Sequence, residues 1–211
     1  MEHRKAIFID KDGTLVPRIP YNVNPEMITL SPKAAEGLFK LQNRGYIIIV
    51  VTNQSGIAKG LFKERDVENV QFKIETLLNL NHIHLSGFYV CPHHPSGIID
   101  KFSIHCNCRK PSSGLFFKAA AELSINLYES WMIGDVLNDV EAGNRAGCKS
   151  ILLNNGSETE WKSGCFRKPN FVANDLLHAA DFILNSSHYR NNNPYLSNAH
   201  RESSINREVQ A

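Results

Sequence analysis

Short apolar segments alternate with amphipathic ones along most of the chain. Each of five segments contains three to five mostly apolar residues, a pattern typical of strands in the interior of a sheet. Such near-continuous hydrophobicity suits a parallel sheet that is covered by helices on both faces. Strands are therefore predicted at residues 6–9, 47–51, 87–90, 131–133 and 150–153.

The segments between these strands have apolar residues at helical spacing. The first predicted helix starts at Ser31-Pro32, with serine as the N-cap and proline as the first helical residue, and it stops at Gly45. Further helices are predicted over about 63–80, from Ser112 or Ser113 to about 123, over about 138–146, and from Asn174 to about 184. Alternation of strands and helices predicts an α/β fold, doubly wound around a mostly parallel sheet.

The pattern changes after Asn185. Residues 186–211 are rich in Asn and Ser and have almost no periodic apolar residues, so they offer little apolar surface to bury. We expect residues 1–185 to form one domain and residues 186–211 to form a polar tail that is disordered or loosely attached. The length of 211 residues agrees with one domain and an appendage.

Composition and charge argue against several kinds of partner. The chain has 23 Lys and Arg against 21 Asp and Glu, a formal net charge of +2, and no basic block for a run of phosphates. Its longest apolar run, residues 46–51, is far shorter than the ~20 residues that cross a bilayer. We therefore expect no nucleic-acid or membrane partner, a cytoplasmic location and a monomer.

Polar residues follow three of the predicted strands, at the points where these strands end. Asp10-Lys11-Asp12 follows the first strand, Thr52-Asn53 follows the second, and Asp135 follows a later one. Because ligands of open α/β sheets gather at the carboxyl ends of the strands, we expect these side chains to lie close together. The plain alternative is that each aspartate caps the helix that follows it.

A cluster of carboxylates at the strand ends indicates a bound cation. Two carboxylates about 4 Å apart repel each other by roughly 4 kcal/mol at an effective dielectric constant of about 20. Oxygen ligands without histidine or cysteine favour Mg²⁺ over zinc. Since Mg²⁺ usually retains waters and a substrate phosphate, the strand ends predict magnesium-dependent phosphoryl chemistry.

Four sequence motifs resemble those of a known family. DKDGT at 10–14, TN at 52–53, RKP at 109–111 and GDxxxD at 134–139 are similar, in this order, to the motifs of the haloacid dehalogenase (HAD) superfamily of phosphatases. Within it, the chain resembles the D-glycero-D-manno-heptose-1,7-bisphosphate 7-phosphatases and their histidinol-phosphatase relatives, over about residues 6–184. The resemblance implies a Rossmann-type fold, with a minimal cap because no large insert interrupts the motifs.

The resemblance also implies a role for each motif residue. Asp10 would attack phosphorus as the nucleophile and form an aspartyl-phosphate, and Asp12 would act as general acid and then as general base. Asp10 and Asp135 would bind Mg²⁺ through their side chains, with the backbone carbonyl of Asp12 as a third ligand. Asp139 would orient these groups. The residues implied to hold phosphate oxygens and the nucleophile are Thr52, Asn53 and Lys110.

The substrate implied by the resemblance is a sugar bisphosphate. TNQSGIAKG at 52–60 is similar to the heptose-bisphosphatase signature, whereas histidinol phosphatases more typically have TNQDG. Arg109 would be a bidentate partner for the second phosphate. The residues assigned to substrate binding are Asn53, Gln54, Ser55, Arg109 and Lys110. Histidinol phosphate or another small phosphorylated metabolite remains the alternative substrate.

Three cysteines lie near histidines in the predicted loop at 91–108. Cys91-Pro92-His93 and Cys106-Asn107-Cys108 form the pattern C-x-H-x12-C-x-C, and its four soft ligands, Cys91, His93, Cys106 and Cys108, suit tetrahedral zinc. His94 and His105 are alternative ligands. The heptose-bisphosphatase branch has this pattern between its second and third motifs.

Four protein ligands leave no open position on zinc, so we expect a structural metal that orders the loop. Arg109 and Lys110 follow the last cysteine directly, and an ordered loop would hold both cations at the phosphate site. A non-enzymatic interpretation is also possible, in which the zinc loop docks a protein partner on a degenerate phosphatase fold.

Overall fold

In the computed structural model, which describes residues 3–159 and 161–191, six strands form one sheet. The strands are β1 (Lys5–Ile9), β2 (Tyr46–Asn53), β3 (Leu85–Cys91), β4 (Trp131–Gly134), β5 (Lys149–Leu153) and β6 (Phe171–Ala173). Their order across the sheet is β3-β2-β1-β4-β5-β6, and each neighbouring pair is parallel. The predicted doubly wound parallel sheet is confirmed, with β6 as a strand that the sequence did not predict.

Helices cover both faces of the sheet. They are α1 (Ala34–Gln42), α2 (Glu64–Asn79), α3 (Gly114–Leu123), α4 (Leu137–Ala146) and α5 (Leu176–Asn191). One core cluster joins the sheet to α1, α2 and α5, and a second joins it to α3 and α4. The protein is therefore a three-layer α/β/α arrangement.

The central strand β1 is buried on both of its faces. Ile7 and Ile9 belong to the core on the side of α1, α2 and α5, whereas Ala6 and Phe8 belong to the core on the side of α3 and α4. All four residues are fully buried. Because neither face of the strand meets water, its sequence is apolar without alternation.

The order of the strands creates a crevice at the carboxyl end of β1. From β1 the chain proceeds through β2 to β3 on one side, and then crosses over to β4 on the other side. Connections that leave neighbouring strands in opposite directions open a ligand site between them. Asp10 follows β1 and Asp135 follows β4, so both lie at this crevice.

Two connections border the crevice. The connection from β1 to α1, residues 10–33, contains a 3₁₀ turn at Pro25–Met27, and the connection from β3 to α3, residues 92–113, contains one at Asp100–Phe102. Within the part of the chain that the structure describes, neither connection holds a separate cap domain. The expectation of a minimal cap is confirmed.

The start of α1 differs from the prediction. Ser31-Pro32 lies in a turn, where the Ser31 carbonyl accepts the N–H of Ala34 at 3.0 Å, and proline is not the first helical residue. Lys33 precedes the helix in the left-handed region at φ 60°, and its ammonium lies 3.1 Å from the Asp175 carboxylate. An ion pair between distant segments accompanies the helix start, where the local sequence predicted a serine cap.

Both ends of α5 also differ from the prediction. Asp175, and not Asn174, accepts a backbone N–H of the first turn, at 2.8 Å. The helix continues to Asn191, beyond the end predicted near residue 184. The rest of the predicted tail, 192–211, lies outside the described residues, so the division into domain and tail stays a prediction.

Candidate active site

Three aspartates meet at the crevice. One carboxylate oxygen from each of Asp10, Asp135 and Asp139 lies within 4.8 Å of the other two. All three residues are buried, with Asp10 at 8% exposure, Asp139 at 1% and Asp135 at 0%. Asp139 reaches the cluster from the first turn of α4, which follows β4 directly. The sheet thus brings together carboxylates that are far apart in the sequence.

Lys110 is the buried cation of this cluster. Its ammonium donates to Asp10 Oδ1 at 2.5 Å and to the Val51 carbonyl at 2.8 Å, and it lies 2.7 Å from Asp139 Oδ1. These three acceptors match the three N–H groups of an ammonium. Burial opposes its charge, but the two carboxylates outweigh burial and raise the pKa of Lys110. Lys110 is therefore a fixed positive charge between Asp10 and Asp139.

Asn53 holds the backbone of Lys110. Its side-chain amide donates to the Lys110 carbonyl at 3.0 Å, and its amide oxygen accepts the Lys110 N–H, also at 3.0 Å. This pair of hydrogen bonds joins the end of β2 to the segment that follows the cysteine-rich loop. The structure therefore shows Asn53 positioning a cation, in addition to lining the cleft.

Asp12 is placed differently from the other aspartates. Its side chain is 32% exposed, and its two oxygens accept from the Lys11 ammonium at 2.5 Å and from Gln54 Nε2 at 3.0 Å. Gln54 Nε2 also donates to the Thr52 hydroxyl at 2.9 Å. Asp12 thus has access to water and to the cleft while two neighbours orient its carboxylate.

Arg18 is a site residue that the sequence did not predict. Its Nη2 donates to Asp135 Oδ2 at 2.7 Å, and Thr14 donates from its hydroxyl to Asp135 Oδ1 at 3.4 Å. Gly13 adopts φ +88°, and a Cβ at that position would overlap the Asp135 carboxylate. A single arginine in an irregular loop has no sequence pattern that would mark it as a site residue. The glycine of DKDGT is different, because a side chain at Gly13 would collide with Asp135.

The carboxylates exceed the cations at this cluster. Burial and the charge of Asp10 raise the pKa of Asp135, against hydrogen bonds from Ser157 and Arg18. Burial also raises the pKa of Asp139, and the charges of Asp10 and Asp135 add to this against Lys110. Both pKa values are raised first by burial and then by the neighbouring carboxylates, and the cluster has three carboxylates beside the two cations Lys110 and Arg18. Buried oxygen donors with excess negative charge fit a divalent cation such as Mg²⁺.

A cleft of about 330 Å³ opens above the aspartates. The predicted site residues that line it are Asp10, Asp12, Thr52, Asn53, Gln54, Ser55, Lys110 and Asp139. Arg109 lies outside this set, and its Nη1 donates to the His93 carbonyl at 3.3 Å. The loop from Ile19 to Asn22 also lines the cleft. The structure thus assembles most of the predicted substrate residues around one cleft, and Arg109 is not among the residues that line it.

A second cluster lies at the end of β3. Sγ of Cys108 is 3.2 Å from Sγ of Cys91 and 3.3 Å from Sγ of Cys106, and the Cys91 and Cys106 sulfurs are 3.7 Å apart. His93 Nδ1 lies 3.2 Å from the Cys108 sulfur and 3.8 Å from the Cys91 sulfur. Sulfurs bound to tetrahedral zinc at about 2.3 Å would be about 3.8 Å apart. The four residues are therefore grouped as one tetrahedral metal could hold them.

The structure separates the alternative histidines from this cluster. His94 Nδ1 accepts the backbone N–H of Ser96 at 3.1 Å, and His105 is exposed. Neither belongs to the metal-binding group found among residues 3–159 and 161–191. The cluster is also linked to the cleft, because the Cys91 carbonyl accepts the Gln54 N–H at 2.8 Å.

Comparison with known proteins identifies the family. The HAD-hydrolase-like family model matches residues 107–179. A protein of Salmonella typhi named D-glycero-β-D-manno-heptose-1,7-bisphosphate 7-phosphatase is 36% identical over 181 residues, which cover 86% of this chain and 90% of that protein. The chain belongs to the HAD phosphatases. A protein of the same name from Haemophilus ducreyi is 33% identical to this HAD phosphatase, over 85% of the chain and 98% of the relative.

A solved structure agrees with this assignment. The D,D-heptose 1,7-bisphosphate phosphatase of B. bronchiseptica, complexed with magnesium and phosphate, has a TM-score of 0.74 and 27% sequence identity to this HAD phosphatase. The match covers 86% of this chain and 99% of the other. Within the described part of the chain, no helix has the length and hydrophobicity needed to cross a membrane.

Proposed function

We propose that this HAD phosphatase removes the 7-phosphate of D-glycero-D-manno-heptose 1,7-bisphosphate, with Mg²⁺ as cofactor and an aspartyl-phosphate as intermediate. The observation that carries the proposal is the cluster of Asp10, Asp135 and Asp139 around Lys110, at the switch point of the sheet. The names of the relatives and the TNQSGIAKG sequence support this substrate over histidinol phosphate.

Asp10 is the nucleophile in this proposal. Lys110 holds one of its oxygens, so the carboxylate has a fixed orientation at the floor of the cleft. A carboxylate oxygen attacks phosphorus, and the bond between phosphorus and the sugar oxygen breaks. In the second step, water attacks phosphorus and releases the Asp10 carboxylate and inorganic phosphate.

Asp12 moves the protons in both steps. In its protonated form it donates a proton to the leaving sugar oxygen, and as a carboxylate it then accepts a proton from the attacking water. Its 32% exposure and its position in the cleft give it access to both groups. Gln54 and Lys11 orient the carboxylate for these transfers.

The Mg²⁺ ligands in this proposal are the side chains of Asp10 and Asp135 and the backbone carbonyl of Asp12. When bound, Mg²⁺ neutralises charge on the phosphoryl group and on the carboxylates. Asp139 remains paired with Lys110 and positions it. Thr52 and the other residues that line the cleft near Lys110 would hold the phosphate oxygens.

The second cluster would hold a structural zinc through Cys91, His93, Cys106 and Cys108. Four free ligand side chains in contact support this assignment. The Arg109 guanidinium bonds the His93 carbonyl, so ordering the loop also orders the residues that precede Lys110. Arg109 would bind the second phosphate. The monomeric state and the cytoplasmic location stay predictions.

A substrate panel tests the proposal. Purified protein with Mg²⁺ is assayed for phosphate release from heptose 1,7-bisphosphate, histidinol phosphate and other sugar phosphates, and kcat/KM is compared. We expect the highest kcat/KM for the heptose bisphosphate, with ³¹P spectra showing that the 1-phosphate is retained. Preference for histidinol phosphate would contradict the substrate assignment and leave the mechanism intact.

A further inference from the structure

The two cations of the aspartate cluster are held in different ways. Lys110 is buried, and its three acceptors saturate its ammonium group. Arg18 is 45% exposed along its side chain and bonds a carboxylate that is completely buried. Among residues 3–159 and 161–191, the hydrogen-bond partner of the Arg18 guanidinium is Asp135. Lys110 is therefore fixed inside the cluster, whereas Arg18 lies at its solvent-exposed edge.

Arg18 bonds a carboxylate that a metal ion at this cluster would need. Asp135 belongs to the group of three carboxylates that could share one ion, and Arg18 bonds its Oδ2 at 2.7 Å. A guanidinium bonded to this carboxylate competes with a metal ion for it, because the two cations repel each other. With Arg18 and Lys110 in place, three carboxylates face two single charges. If a divalent cation replaces Arg18, the charges of the cluster balance.

The surroundings of Arg18 allow its side chain to leave Asp135. Pro17 and Pro20 flank the short segment that carries it and restrict the backbone on both sides, so relocation falls to the flexible side chain. Arg18 lines both the cleft above the aspartates and a neighbouring cavity of about 300 Å³. Of the residues that line the cleft, Arg18 and Lys110 are the basic ones, and Lys110 has no free N–H.

We propose that Arg18 is an exchangeable counter-ion, which pairs with Asp135 when no divalent cation is bound and competes with the cation for that carboxylate. Once displaced, Arg18 contacts the anionic end of the substrate that does not react, from within the same cleft. This inference rests on the proposed function, because it takes Asp135 as a metal ligand and a phosphorylated molecule as substrate.

Metal binding without substrate tests the competition. MgCl₂ is titrated calorimetrically into metal-free protein in phosphate-free buffer, for the wild type, Arg18→Met and Arg18→Lys. Loss of a partly exposed ion pair should make Mg²⁺ binding about two- to fivefold tighter in Arg18→Met. Arg18→Lys retains a cation, so its affinity should lie between those of Arg18→Met and the wild type.

Arg65→Met is the matched control, because Arg65 is exposed on α2 and the change removes the same charge. We expect its Mg²⁺ affinity to equal that of the wild type. Circular dichroism of the metal-free variants shows whether each is folded. Equal or weaker Mg²⁺ binding by a folded Arg18→Met variant would overturn the competition, and so would equal tightening in Arg65→Met.

Steady-state kinetics tests the second part of the inference. At saturating Mg²⁺, Arg18→Met should raise KM for the phosphorylated substrate about tenfold, with a smaller effect on kcat. An unchanged KM would overturn the contact with substrate. Wild-type protein that binds no Mg²⁺ or hydrolyses no phosphate ester would contradict the proposed function itself. Wild-type protein that binds Mg²⁺, with no tightening in Arg18→Met, would contradict only the exchange.

Discussion

Burial of an ammonium group inside a protein is favourable only when its donors are paired. Lys110 meets this condition with Asp10, Asp139 and a carbonyl of β2, and Asn53 holds its backbone on the other side. The buried carboxylates of Asp10 and Asp139 depend in turn on this cation. Asp10, the proposed nucleophile, is thus held by a buried cation that Asp139 and Asn53 position.

Replacement of Lys110 should therefore damage both stability and activity. Lys110→Met leaves two buried carboxylates without their cation, and we expect it to lower the free energy of unfolding by about 3 to 5 kcal/mol. The measurement is urea unfolding of metal-free protein. Lys118→Met is the control, because its ion pair with Glu122 is exposed and should contribute less than about 1 kcal/mol. Equal losses in the two variants would contradict the role of Lys110.

Replacement of Asp10 tests the nucleophile. Asp10→Asn removes the attacking oxygen and should lower kcat by at least about a thousandfold, while circular dichroism and melting temperature show a folded protein. Asp181→Asn is the control and should keep full activity. Asp181 lies on α5 and forms an exposed ion pair with Lys40 of α1. Substantial turnover by Asp10→Asn would rule out Asp10 as the nucleophile.

At the scale of elements, local sequence patterns succeeded where burial is complete and failed at the edges. β1 is apolar throughout because both of its faces are covered. β6 was missed because it has three residues, lies at the edge of the sheet and leaves Val172 exposed at 44%. The serine cap predicted for α1 was wrong. Ser31 lies in a turn before the helix, and Lys33, which pairs with Asp175 next to α5, is the residue that precedes it.

The loop after β3 offers a test at the same scale. Cys106→Ser should abolish tight zinc binding and lower kcat/KM about tenfold to a hundredfold, because a disordered loop misplaces Arg109 and Lys110. The free energy of unfolding should change less, since most of the core lies in the sheet and the helices that cover it. Metal analysis, kinetics and urea unfolding are compared with Cys165→Ser, a change of an exposed free thiol. Unchanged kinetics in zinc-free Cys106→Ser would contradict this role.

At the scale of the whole molecule, strand order decides where the chemistry lies. β1 pairs with both β2 and β4, so the residues that follow these three strands converge on one crevice. The same crossover brings Lys110, which follows the cysteine-rich loop, into contact with the carboxyl-terminal part of β2. A charged cluster of this kind gains its function from the sheet rather than from any single element.

Removal of the divalent cation tests the cluster as a unit. The protein is dialysed against EDTA, and Mg²⁺ and zinc are then added back separately. In protein that retains zinc, we expect added Mg²⁺ to restore phosphate release. The measurements are phosphate release and metal content at each stage. Full activity in protein that metal analysis shows to be free of Mg²⁺ would contradict the metal assignment.

The sequence by itself determined the parallel α/β fold, the HAD motifs and the three cysteines of the second cluster, with the choice among His93, His94 and His105 left open. These features depend on runs of apolar residues, on motif order and on short ligand spacings. Each of these patterns can be read directly from neighbouring positions in the sequence. Only the tertiary structure decided that Arg18 pairs with Asp135, that Asn53 holds Lys110, and that His93 rather than its neighbours joins the cysteines. These contacts join distant segments across the sheet, and their geometry depends on how the layers pack.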